Sequence, residues 1–74
     1  MSALPPGWTE SKPGGLATNT DPIEGGIIDV AIVSDEWFVI FNADPLSPME
    51  GFKTRDDAFA AWANVIEQSR AIYP

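Results

Sequence analysis

The sequence predicts a small α+β domain: a three-stranded antiparallel sheet, ordered β-β-β-α, with one C-terminal amphipathic helix packed on one face. Three observations predict it. Ile27-Ile28-Asp29-Val30-Ala31-Ile32-Val33 is β-branched and alternates with a period of two. Trp37-Phe38-Val39-Ile40-Phe41 follows after only Ser34-Asp35-Glu36, so the two runs read as a β-hairpin over 27–41. Behind them, Ala58, Phe59, Trp62, Val65, Ile66 and Ser69 recur at helical spacing, leaving one apolar stripe.

Residues 1–26 form a loop-rich segment rich in Pro, Gly, Ser and Thr, with turn signals at Pro5-Pro6-Gly7, Pro13-Gly14-Gly15, Asp21-Pro22 and Gly25-Gly26. Within it Trp8-Thr9-Glu10-Ser11 is the candidate for a short first strand, and Leu16-Ala17-Thr18-Asn19 can be extended. Asn19 to Glu24 reads as a mobile loop. After the hairpin, Asn42 to Gly51 is broken by Pro45 and Pro48 and reads as a loop. Thr54-Arg55-Asp56-Asp57 supplies an N-cap and two acids for the first turn, and Arg70 suits the last turn. The helix is expected from about Arg55 to about Ala71, within a segment bounded as 54–71.

The chain of 74 residues reads as one domain over 1–74. A chain this short buries roughly 60% of its unfolded surface, so its stability is marginal without help. It has no cysteine and no histidine, which removes disulfides and nearly all zinc, iron and copper sites. Packing must then carry the fold, and Trp8, Trp37, Trp62, Phe38, Phe41, Phe52, Phe59 and Tyr73 are the side chains to carry it. The absence of cysteine and of a basic, apolar leader at Met1 to Gly7 leads us to expect a cytoplasmic protein. No apolar run approaches the roughly 20 residues of a membrane span, so no membrane partner is expected.

Charge is the strongest global signal: eleven acidic residues against four basic ones give a net charge of −7. Nucleic acid is bound mainly by lysine and arginine neutralising phosphates. Lys12, Lys53, Arg55 and Arg70 are few and scattered, so direct nucleic-acid binding is disfavoured. The acidity serves solubility, or it steers the chain to a basic protein partner, including by imitating nucleic acid.

Two resemblances are present. Leu4-Pro5-Pro6-Gly7-Trp8 resembles the opening of a WW domain, but the next tryptophan is Trp37, without the family's following proline, and the likeness ends there. Gly51-Phe52-Lys53-Thr54-Arg55-Asp56-Asp57-Ala58, ahead of a helix and after three strands, is similar to the three-strand-plus-helix DNA-binding modules of phage integrase arm domains and of a class of plant DNA-binding domains. That resemblance implies a sheet inserted into the major groove. Where those families carry basic residues, this chain has Asp29, Asp35 and Glu36.

Enzymatic templates find no residues to occupy them. Ser-His-Asp and thiolate chemistry need residues the chain lacks, and no phosphate-cradling glycine motif or calcium loop is present. Asp35-Glu36 reads as a solvated hairpin tip and Asp56-Asp57 as helix capping. No catalytic residue, metal ligand or cofactor is expected. The informative anomaly is that Trp37, Val39 and Phe41 point one way while Phe38 and Ile40 point the other, so both faces of one strand are apolar. Either the N-terminal segment, with Leu4, Pro5, Pro6, Trp8 and Leu16, folds over the second face, or that face binds a partner or a second copy. The expectation is a small acidic, non-enzymatic protein-binding module, an adaptor, inhibitor or regulator of a larger basic or nucleic-acid-handling protein, of the kind phages and mobile elements encode. Trp37, Phe38, Ile40, Asp29, Asp35 and Glu36 are its candidate contacts. A homo-oligomeric assembly subunit using the sheet face or edge is the alternative, with a DNA-binding module of the three-strand-plus-helix type behind it.

Overall fold

A computed structural model describes residues 4–72; Met1 to Ala3 and the aromatic Tyr73 lie outside the described residues. Five strands precede one helix: β1 (Thr9–Glu10), β2 (Ala17–Asn19), β3 (Gly26–Ala31), β4 (Glu36–Phe41), β5 (Asp44–Phe52) and α1 (Arg55–Ile72). The strands form one antiparallel meander in the order β1-β2-β3-β4-β5. The α+β class, the antiparallel sheet and the C-terminal helix are as the sequence predicts. The strand count is not: the sheet has five strands, not three.

Both additional strands have a physical reason for escaping a pattern reading. β2 is three residues long, too short to display a period, and lies between β1 and β3, pairing with β3 through Ala17↔Ile28, Thr18↔Ile27 and Asn19↔Gly26. β5 contains Pro45 and Pro48, which ordinarily argue against a strand. It tolerates them because it is the outer strand, where an amide donor is dispensable, and because its pairing is bulged. Val39 pairs with Met49 and Trp37 with Phe52, one residue more on β5 than on β4. Gly51, at φ 90°, supplies the left-handed backbone this bulge needs.

β3 stops short of the expected run, whereas β4 starts one residue early, at Glu36. β3 ends at Ala31, opposite Glu36, and Ile32 to Asp35 form the turn, closed by Asp35 N–H to the Ala31 carbonyl at 2.8 Å. Asp35 has φ 58°, a conformation that aspartate tolerates better than most residues. Ile32 and Val33 are therefore not strand residues but stand at the tip, 95% and 102% exposed. Gly26 sits where any Cβ would run into the Ile40 carbonyl on β4, so this position admits no side chain.

The core lies between the helix and one sheet face. Ala17, Ile28, Val39 and Met49 form a continuous cross-strand row over β2 to β5. Ile28 and Val39 are fully buried, and such burial contributes about 1.5–3 kcal/mol per side chain. The helix covers this row with Ala58 and Ile66, flanked by Phe59, Trp62 and Val65. Thr54 caps it, its hydroxyl accepting the Asp57 N–H at 3.1 Å. Among the described residues no helix is long and apolar enough to cross a membrane.

Trp8 joins this same core. It is 5% exposed and meets Phe59 and Trp62 edge to face, with ring centroids 5.1 Å apart in both cases. The N-terminal segment thus packs at the helix side, with Leu4 against the same cluster, and does not fold over the second sheet face through Trp8. Arg55 fastens β1 and the turn after it to the helix start, donating to the Glu10 carboxylate at 2.6 Å and the Gly15 carbonyl at 3.1 Å. The segment from Asn19 to Glu24, read as a mobile loop, is pinned. The Asp21 carboxylate accepts the Ile23 and Glu24 amides, and Asn42 donates to the Asn19 and Asp21 carbonyls. The Trp62 indole N–H reaches the Glu24 carbonyl at 2.7 Å, and Arg70 pairs with the Glu24 carboxylate.

Candidate protein-docking face

Alternation along the strands fixes which side chains face away from the helix. Because Ile28 and Val39 point into the core, their neighbours Ile27, Asp29, Phe38 and Ile40 point outward. Thr9, Thr18, Ile27 and Ile40 make a cross-strand row over β1 to β4, and Asp29 stands opposite Phe38 one step along. Ala31 and Glu36 follow, next to the tip. Ile27 is 37% exposed, while Phe38, Ile40 and Asp29 are half-buried. The shortest dimension, 18 Å, accommodates a helix on a sheet and, among the described residues, no third layer.

The structure thus separates the predicted contact residues. Phe38, Ile40 and Asp29 share the open face, with Glu36 at its end and exposed Asp35 in the adjoining turn. Trp37 belongs to the opposite side: it pairs with Val30 and Phe52 and packs against the core. Trp37 and Phe38 nonetheless both reach a shallow depression of about 200 Å³ at the hairpin end, which Ala31, Ser34, Glu36 and Glu50 also line. Ile27, Ile32, Val33 and Glu50 are the members of this region not singled out as contacts from sequence. Ile32 and Val33 look like strand residues until the turn is known. Glu50 lies on the strand that its prolines conceal.

Charge is distributed unevenly along the chain. Residues 26–52 hold five acids, Asp29, Asp35, Glu36, Asp44 and Glu50, and no lysine or arginine, while the rest of the chain sets six acids against all four cations. Two of those cations are held in ion pairs at the helix side, Arg55 with Glu10 and Arg70 with Glu24. The Arg55 guanidinium holds the Glu10 carboxyl below its ordinary range, and Arg70 does the same for Glu24. The Asp21 carboxyl is lowered by the backbone N–H groups of Glu24 and Ile23. The open face and the tip are therefore predominantly acidic around an apolar centre, through Asp29, Asp35, Glu36 and Glu50, with exposed Lys53 the nearest cation along the chain.

Comparison with protein-family models, with curated proteins and with solved structures finds no match to this chain.

Proposed function

We propose that this chain is a small acidic protein-binding module, without catalytic activity of its own, that docks a basic partner through the open face of its sheet and acts as an adaptor, inhibitor or regulator. The observation that carries this reading is the row of exposed Ile27 with half-buried Phe38 and Ile40 on the sheet face turned away from the helix, beside Asp29, Asp35, Glu36 and Glu50. An apolar centre with a charged rim is the anatomy of a protein interface. The field of the rim steers a cationic partner and suppresses acidic ones.

Self-association is the competing use of the same face. A net charge of −7 on each copy opposes it. The sheet edges oppose it further, since β1 has two residues and β5 lacks amide donors at Pro45 and Pro48. The test is affinity capture from lysate of the native host at low and at raised salt, with the wild-type chain and with Asp35→Lys combined with Glu36→Lys. A stoichiometric partner that the charge-reversed chain releases supports the reading. Unchanged capture by that variant removes the acidic rim, and recovery of the bait alone as a dimer in light scattering transfers the face to self-assembly.

A further inference from the structure

A partner can meet this sheet in two ways: as an added strand at an edge, or as an element laid on the open face. The edges argue against the first. β1 offers two residues, and β5 combines Pro45, Pro48 and two register breaks, so neither presents a regular ladder of free backbone groups. The face argues for the second. β3 and β4 are six residues each, and at ~3.3 Å per residue they run for about 20 Å. A helix of about 14 residues, rising ~1.5 Å per residue, has that length. One helix already lies on the other side of the sheet, so a helix on the open face would complete a third layer.

From these features and the charge distribution we infer that the occupant of the open face is a cationic amphipathic helix of the partner protein. Its apolar stripe lies on Ile27, Phe38 and Ile40, and its lysines and arginines reach Asp29, Asp35, Glu36 and Glu50. The inference rests on the proposed docking function and deepens it, naming the structure and charge of the element bound. A cation projecting from the end of such a helix has a receptor in the depression between Glu36 and Glu50, which Trp37 and Phe38 also line. Ile32 and Val33, fully exposed at the adjoining tip, extend the apolar surface at that end of the hairpin.

The test uses the full chain and two synthetic peptides, each about 18 residues long. One arranges leucine and lysine at helical period; the other has the same composition in an order without an apolar stripe. Isoleucine methyl resonances report the site. Ile27 and Ile40 lie on the open face and Ile32 at the tip, whereas Ile28 and Ile66 are in the core. The striped peptide is expected to saturate, with shifts concentrated at Ile27, Ile40 and Ile32, and to bind at least about tenfold more tightly than its scrambled counterpart. Asp35→Lys with Glu36→Lys, both exposed, is expected to abolish that difference without unfolding the chain. Equal binding of the two peptides at the open face would overturn the helix while leaving a basic partner in place. No saturable binding, or shifts away from the open face, would overturn both.

Discussion

Trp8 is the residue on which the N-terminal third depends. It is buried against Phe59 and Trp62 from a segment with little regular structure, so its contacts rather than a strand ladder hold residues 4–8 in place. Trp8→Ala is expected to cost about 3–5 kcal/mol in urea unfolding, a large fraction of the stability of so small a domain. The indole Nε1 of Trp8 is buried and has no hydrogen-bond partner among the described residues. Trp8→Phe is therefore expected to cost distinctly less than Trp8→Ala, because it keeps an aromatic ring and deletes an unpaired donor. At the same scale, Glu10 and Glu24 titrate below their ordinary value of 4.5 in the folded chain. A carboxyl whose folded pKa is depressed adds stability that is present above its unfolded pKa and lost as pH falls through the folded one. The wild-type chain is thus expected to exceed Glu10→Gln and Glu24→Gln in melting temperature at neutral pH, with the gap closing below about pH 4.5. The comparison with the variants is needed because acidification also relieves the repulsion of a chain with a net charge of −7, which changes both curves together.

At the scale of elements, the helix and the central hairpin are legible in the sequence because each carries a local signal strong enough to decide it. The helix shows both a cap and a stripe: Thr54 bonds the Asp57 amide, and Ala58, Trp62 and Ile66 face the sheet at intervals of four. Thr54→Ala is expected to remove about 1 kcal/mol, read as a fall in the urea midpoint at constant slope. The hairpin is legible from its alternating β-branched run, but its ends are not. Ile32 and Val33 continue the pattern in sequence while Asp35, at φ 58°, turns the chain beneath them. β5 is illegible for the opposite reason, since local propensity at Pro45 and Pro48 is overridden by its place as an outer, bulged strand. The two faces of β4 are readable from alternation alone. What is not readable is which face the helix chooses and where Trp8 goes, since both are settled by contacts between residues some fifty positions apart.

At the scale of the whole molecule, the layering and the charge agree on one working surface. The helix side contains the core, both arginine ion pairs and the N-terminal segment. The other side carries Ile27, exposed, and Phe38 and Ile40, half-buried, beside four acids, Asp29, Asp35, Glu36 and Glu50. Phe38→Ser with Ile40→Ser is expected to lower binding of a captured partner by at least about tenfold, since a few residues at the centre of an interface carry most of its binding energy. Ile40→Ser alone is expected to cost less stability than Val39→Ser, because Val39 is fully buried and Ile40 is not. The measurement that tests the docking face most directly is hydroxyl-radical footprinting of the chain alone and with its captured partner. Oxidation of Phe38 is expected to fall on binding while that of Phe59 and Trp62 is unchanged. Protection of Phe59 and Trp62 with Phe38 still fully reactive would contradict it.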